Sequence, residues 1–235
     1  MIALLALGSV AHAQNSPTVS RTTTLSALFP TDKAKSLADT LPPDKPLHYR
    51  VRIPQGGSPS GVLVFVKTGD SGELPGGNWA AELDRQNLIW IAAENYGNNR
   101  PSAKRVLAAL AGLKLIESTE TIDSKRLYIG GISGGGRIAS QIITRFPQTF
   151  SGALYIVGAD DWTAREEPFL ARIAENRYVF ITGSYDFNRH DMQRMFSKYK
   201  GAGITQSLLM DLPRFGHEYP DAEQLGIAID FLDAR

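Results

Sequence analysis

The sequence predicts an α/β domain with a mostly parallel central sheet flanked by helices. Three observations predict it. Short, continuous apolar runs recur along the chain, as buried parallel strands require. Segments of helical pattern separate them, as right-handed crossovers require. The composition is that of one ordinary globular core: 235 residues, 43% hydrophobic and 21% charged.

The elements follow in order. Met1 to Gln14, "MIALLALGSVAHAQ", is apolar and ends in Ala11, His12 and Ala13, an A-x-A pattern. It reads as a secretory signal over residues 1–13. No Lys or Arg follows Met1, so either the true start of the signal lies upstream or the stretch is instead a buried N-terminal helix. The stretch is shorter than the ~20 apolar residues that cross a bilayer, so no transmembrane segment is expected. Residues 14–46, rich in Ser, Thr, Pro and Asp, are expected to be mostly irregular. The domain proper is placed at 47–235.

Within it, "LHYRVRIP" from Leu47 alternates like a strand. Buried-strand runs follow at Gly61–Val66, Asn87–Ala93, Arg126–Gly131, Ala153–Val157, Arg177–Thr182 and Ser207–Leu212. Helices are expected over Asn78–Arg85, Ser102–Ser118, Gly134–Arg145, Asn188–Lys200 and Asp221–Leu232. The insertion after Val157 is short, so no large lid is expected.

Net charge is +1, which gives no reason to expect nucleic acid or an anionic membrane as partner. Cysteine is absent, which excludes disulfides, thiolate catalysis and cysteine-ligated metal. An exported chain of this size can form its core without disulfides. No metal site is expected.

One stretch carries chemistry. In "YIGGISGGGRIAS", Ser133 lies in Gly131-Ile132-Ser133-Gly134-Gly135, between a strand and a helix. A G-x-S-x-G in that context places a serine on a sharp turn, with its hydroxyl above the sheet. Small neighbours let strand and helix approach. The Gly134 N–H, at a helix N-terminus, is placed to hold an oxyanion.

A serine nucleophile needs a base, and the base an orienting acid. Of the four histidines, His12 falls in the signal, His48 lies at the start of the first strand of the domain, far from a strand C-terminus, and His190 opens a polar helix. His217, in "PRFGHEYP", follows the last strand and is the expected base. Asp186, after the strand ending near Thr182, is the preferred acid; Asp191, Asp160 and Asp161 are its rivals. The second oxyanion donor should come from the loop after the Gly61–Val66 strand, where Thr68 and Gly69 are candidates. Trp162, Phe169 and Tyr96 are candidates to line a substrate pocket, with Arg100 beside Tyr96.

The order Ser, Asp, His, each after a different strand, is that of the α/β-hydrolases. "IDSKRLYIGGISGGGRIAS" resembles the D-x-x-R-V-Y-[VI]-x-G-x-S-x-G-G segment of their poly(3-hydroxybutyrate) depolymerase and feruloyl esterase-like branch. "FGHEYP" is similar to that branch's G-H-x-x-P histidine loop. The resemblance spans roughly residues 47–234. It implies nucleophile Ser133, base His217 and, by position, acid Asp186. It implies carboxylic ester hydrolysis with no metal or organic cofactor. The chain departs from the branch in lacking its H-G oxyanion loop, its cysteines and a polymer-binding module, so a small soluble ester is the expected substrate. Acyl transfer or peptide hydrolysis on the same triad, or a binding protein of the same fold, are the alternatives.

Overall fold

The computed structural model describes residues 17–162 and 167–234, the side chains of 167–169 excepted. The signal reading over 1–13 therefore lies outside the described residues.

Eight strands form one sheet in the order β1-β2-β4-β3-β5-β6-β7-β8. Strands β1 (Val19–Thr23) and β2 (Leu47–Arg52) are the antiparallel edge. From β4 (Leu88–Ala93) through β3 (Ser60–Val66), β5 (Ile122–Ile132), β6 (Gly152–Ile156), β7 (Arg177–Gly183) and β8 (Ser207–Leu212), every pairing is parallel. Strand β3 is buried along its whole length, which is why its sequence reads as an unbroken apolar run. The registers β3 to β5 (Val66 to Gly131) and β5 to β6 (Ile132 to Ile156) bring the strand ends that carry the site to one edge.

Helices cover both faces. On one, α3 (Trp79–Arg85) and α8 (Ala222–Asp233) pack on Phe65, Trp90, Leu154 and Ile181. On the other, α4 (Ser102–Thr119), α5 (Gly134–Arg145) and α7 (Arg189–Gly201) pack on Val62, Val64, Ile129 and Phe180. Alternate residues of β3 thus face opposite cores, the period of two that a strand dictates.

The segment expected to be irregular is a structured part of the domain. It holds β1 and two short helices, α1 (Leu25–Leu28) and α2 (Thr31–Ser36), with Leu25 and Leu41 buried. Some of its Pro and Thr residues sit at the caps of these pieces: Pro30 precedes α2, and Thr24 caps α1 by accepting from Ala27 N–H at 3.2 Å. This segment lies over α4 and explains why that helix is buried on most of its surface rather than on one stripe. A further short helix, α6 (Glu167–Ala174), follows β6 where only a short insertion was expected.

Candidate active site

Ser133 sits between β5 and α5 with φ 52° and ψ −120°. Such a conformation costs a non-glycine residue on the order of 1–3 kcal/mol and persists only where the surroundings impose it. Here they do. The Ser133 N–H donates to Ile156 O at 2.7 Å, and its carbonyl accepts from Arg137 N–H at 3.1 Å. The glycines around it are demanded by close approach. A Cβ on Gly135 would lie 1.9 Å from Val66 O, and one on Gly158 would lie 2.3 Å from Ser133 O. Val157, just before Gly158, has φ 46°, a genuine outlier for a β-branched residue. Its carbonyl is held by Asn188 Nδ2 at 2.8 Å. The exit of β6 is thus bent tightly against the serine turn.

His217 stands on the loop after β8. That loop is anchored from below: Tyr219 packs edge-on against Trp79 at 5.8 Å, and Trp79 Nε1 donates to Pro220 O at 2.7 Å. Burial pushes the Tyr219 phenol up to about 12, so it remains a neutral packing group. Asp221 then caps α8 through a capping box with Gln224.

His217 Nδ1 lies 2.8 Å from Asp186 Oδ1. The Asp186 side chain is fully buried, and that of His217 is 22% exposed. Asp186 Oδ1 also accepts from Asn188 N–H at 3.0 Å, and Oδ2 accepts from the Thr182 hydroxyl at 2.7 Å. A buried carboxylate with three donors fits the orienting role, because its burial is compensated. With the proton on Nδ1, Nε2 is left as the basic nitrogen.

The rivals are engaged elsewhere. Asp160 accepts from Arg137 at 3.1 Å and Gln141 at 2.6 Å. Asp161 pairs with Lys198, and Asp191 pairs with Arg194 at 3.0 Å. His48 lies at the β1–β2 edge against the Thr22 hydroxyl, 2.9 Å away, and His190 is exposed on α7. Among the described residues, Ser133 Oγ makes no hydrogen bond. In an enzyme without substrate that link is often loose and tightens in the complex.

The expected oxyanion loop leaves β3 at Lys67. Arg105, from α4, is 6% exposed and clamps three backbone carbonyls: Lys67 O at 2.9 Å, Tyr96 O at 3.1 Å and Gly134 O at 3.2 Å. Burial lowers its pKa. Because N–H and C=O of a trans peptide point opposite ways, fixing the Lys67 carbonyl turns the Thr68 N–H away from Arg105. That N–H and the Gly69 N–H have no partner among the described residues. Sequence reasoning missed Arg105, since one arginine in a helical stretch looks like any solvated cation.

The substrate-side expectations fare differently. Tyr96 is a core residue, 9% exposed, with its hydroxyl buried and unpartnered among the described residues. Trp162, 6% exposed, packs edge-on against Tyr199 at 4.6 Å. Both rings are mostly buried, and Tyr96 also borders a cleft with His48, Glu94 and Arg100. Arg100 donates to Asn95 O at 3.0 Å and holds its own loop together. The Phe169 side chain lies outside what is described. The aromatic residue that does reach the site is Phe187, 77% exposed; Tyr185, 69% exposed, flanks Asp186 on the other side in the chain. Phe187 stacks on the His217 ring, centroids 4.0 Å apart at 19°. Two exposed aromatics flanking a buried aspartate, in "SYDFN", were the signal available in sequence.

Among the described residues no group of His, Asp and Glu could hold a metal ion, and no helix is long and apolar enough to cross a membrane.

The prolyl oligopeptidase family matches residues 96–210, a span that includes Ser133 and Asp186 but stops before His217. Solved structures share the fold at low identity. A ferulic acid esterase is 16% identical with a TM-score of 0.65, covering 93% of this chain and 97% of its own. The S-formylglutathione hydrolase FrmB of Staphylococcus aureus is 13% identical with a TM-score of 0.66, covering 93% and 99%. Dienelactone hydrolase of Anabaena variabilis is 16% identical with a TM-score of 0.59, covering 93% and 97%. A search among curated proteins gave no match. Strand order, serine turn and these likenesses together show that the chain has the α/β-hydrolase fold.

Proposed function

We propose that this chain is an exported serine hydrolase that cleaves a small carboxylic ester through Ser133, His217 and Asp186. The observation that carries the reading is the 2.8 Å bond from His217 Nδ1 to the buried Asp186, set at the same sheet edge as a serine in a strained turn. Ser133 Oγ attacks the ester carbonyl as His217 Nε2 takes its proton. The carbonyl oxygen becomes an oxyanion, met by the Gly134 N–H and by a donor of the Lys67–Gly69 loop. Collapse expels the alkoxide, which takes the proton from His217 and leaves as alcohol. Water then attacks the acyl-enzyme by the same path in reverse, releasing the acid and free Ser133. Asp186 holds the imidazole and stabilises its cation. None of these steps calls on a metal or organic cofactor. Export rests on the A-x-A pattern at Ala11–Ala13, and places the activity in the periplasm or outside the cell.

A second reading, peptide hydrolysis on the same triad, is favoured by the match to the prolyl oligopeptidase family over residues 96–210. One panel separates the two: p-nitrophenyl esters of increasing acyl length, a feruloyl ester, and aminoacyl and prolyl p-nitroanilides. Ester turnover well above anilide turnover is expected. Preferential anilide cleavage would replace the first reading with the second.

A further inference from the structure

We propose that the Asn98 side chain is an oxyanion donor, working beside the Gly134 N–H. The inference rests on the reading of Ser133 as nucleophile. Its starting point is the approach of the Asn98 carboxamide to Gly134: a Cβ on that glycine would lie 2.3 Å from Asn98 Oδ1 and 2.9 Å from Nδ2. In a helix the Cα–Cβ bond tilts toward the N-terminus. Gly134 is the first residue of α5, so the carboxamide lies at the open N-terminal mouth of that helix, where the first N–H groups have no partner within the helix.

The rest of the loop is built to hold Asn98 there. Asn98 N–H donates to Thr68 O at 2.7 Å, Gly97 N–H donates to Asp70 Oδ1 at 3.0 Å, and Asn95 N–H donates to Asp70 O at 2.8 Å. Gly97 permits the contact, since a Cβ there would lie 2.6 Å from Thr68 O. Arg105 ties Tyr96 of this loop to Lys67 and Gly134 through one guanidinium. Three segments that must converge on an oxyanion are therefore fixed to one another. Against that network, the Asn98 carboxamide itself is exposed and makes no hydrogen bond among the described residues. A rigidly mounted amide with unspent donors is what an oxyanion site uses.

In the free chain the oxygen lies nearer to Gly134. Half a turn about χ2, a soft torsion for asparagine, presents the Nδ2 hydrogens in its place. The negative charge that forms on the ester oxygen when Ser133 Oγ bonds to the carbonyl carbon would then be shared by Gly134 N–H, the donor of the Lys67–Gly69 loop and, as an added side-chain donor, Asn98 Nδ2–H. This residue would make good the missing H-G loop from a neighbouring strand end.

The test compares Asn98→Ala and Asn98→Asp with the wild type, using p-nitrophenyl acetate turnover, inhibition by phenylboronic acid and thermal melting. Loss of one side-chain donor typically costs about 10²–10³ in kcat. The expected result is a kcat about 10²-fold lower for Asn98→Ala, with KM within about 3-fold and phenylboronic acid weakened in step. Asn98→Asp, of equal size but without a donor, should be at least as slow. Melting should hardly change, because the side chain is exposed. A folded Asn98→Ala with kcat within about 3-fold of wild type, or a defect confined to KM, would overturn the proposal. Full activity in Ser133→Ala would instead overturn the serine reading, and this proposal with it.

Discussion

Asp186 and His217 meet across two parallel strands, the aspartate following β7 and the histidine following β8, with 2.8 Å between Oδ1 and Nδ1. The strands are direct neighbours in the sheet, from Tyr178 opposite Ser207 to Gly183 opposite Leu212. The pairing register therefore delivers the two loops to one place. The contact is reinforced by Tyr185 N–H, which donates to Phe215 O at 3.0 Å and ties the loops together.

Asp186→Asn is predicted to lower kcat by several orders of magnitude, on the order of 10⁴ if the amide favours the wrong imidazole tautomer. Asp160→Asn, Asp161→Asn and Asp191→Asn should stay within about tenfold of wild type, because their partners are Arg137, Lys198 and Arg194. Steady-state kinetics on the four variants decides. Equal and small losses throughout would move the acid elsewhere.

Phe187→Ala is predicted to slow turnover with little change in melting. The residue is 77% exposed, so its removal costs the fold little beyond the stack itself, about 1 kcal/mol. Its stacking on His217 is the kind of ring contact worth roughly 0.5–1.5 kcal/mol, or about 2- to 12-fold in rate if it steadies the imidazole. Phe187→Tyr should restore the rate. An unchanged kcat in Phe187→Ala would show that the stack does not steady the base.

Stability is predicted to fall at alkaline pH through Tyr155, Tyr178 and Tyr199. Their pKa values are raised, first of all by burial. The sign follows: above the unfolded value near ~10 the unfolded chain has lost protons the folded chain still holds, so stability drops as pH rises. Below that value the contribution is fully present. Urea unfolding at about pH 7 and about pH 11 measures it. Tyr155→Phe, which gives up the 3.1 Å bond to Tyr199, should show a shallower alkaline loss. A slope identical to wild type would contradict the assignment.

Much of this architecture was legible in the chain. The unbroken apolar runs gave β3, β4, β6 and β7 because both faces of a parallel sheet are covered, and the glycines around Ser133 marked the turn because close backbone approach admits nothing larger. His217 stood out because it follows the last strand, whereas His48 lies in β2 and His190 on a polar helix. What stayed hidden depends on distant packing. β1 has no apolar run, since an edge strand with exposed residues such as Val19 need not be hydrophobic. Tyr96 and Trp162 read as pocket residues in sequence; both rings are mostly buried, and Tyr96 also borders a cleft with His48, Glu94 and Arg100, a placement that depends on packing of distant segments. Arg105 and Asn98 lie on segments brought together with the serine turn only by the strand order β4-β3-β5.

The central claim is that Ser133 is the nucleophile. Incubation with a fluorophosphonate probe, followed by peptide mass spectrometry, tests it most directly. One covalent adduct on Ser133 is expected, with loss of esterase activity in proportion to labelling, and a folded Ser133→Ala variant that neither labels nor turns over ester above a ~10³–10⁴-fold residual over water. An unlabelled wild type, or a Ser133→Ala variant of undiminished activity, would contradict it.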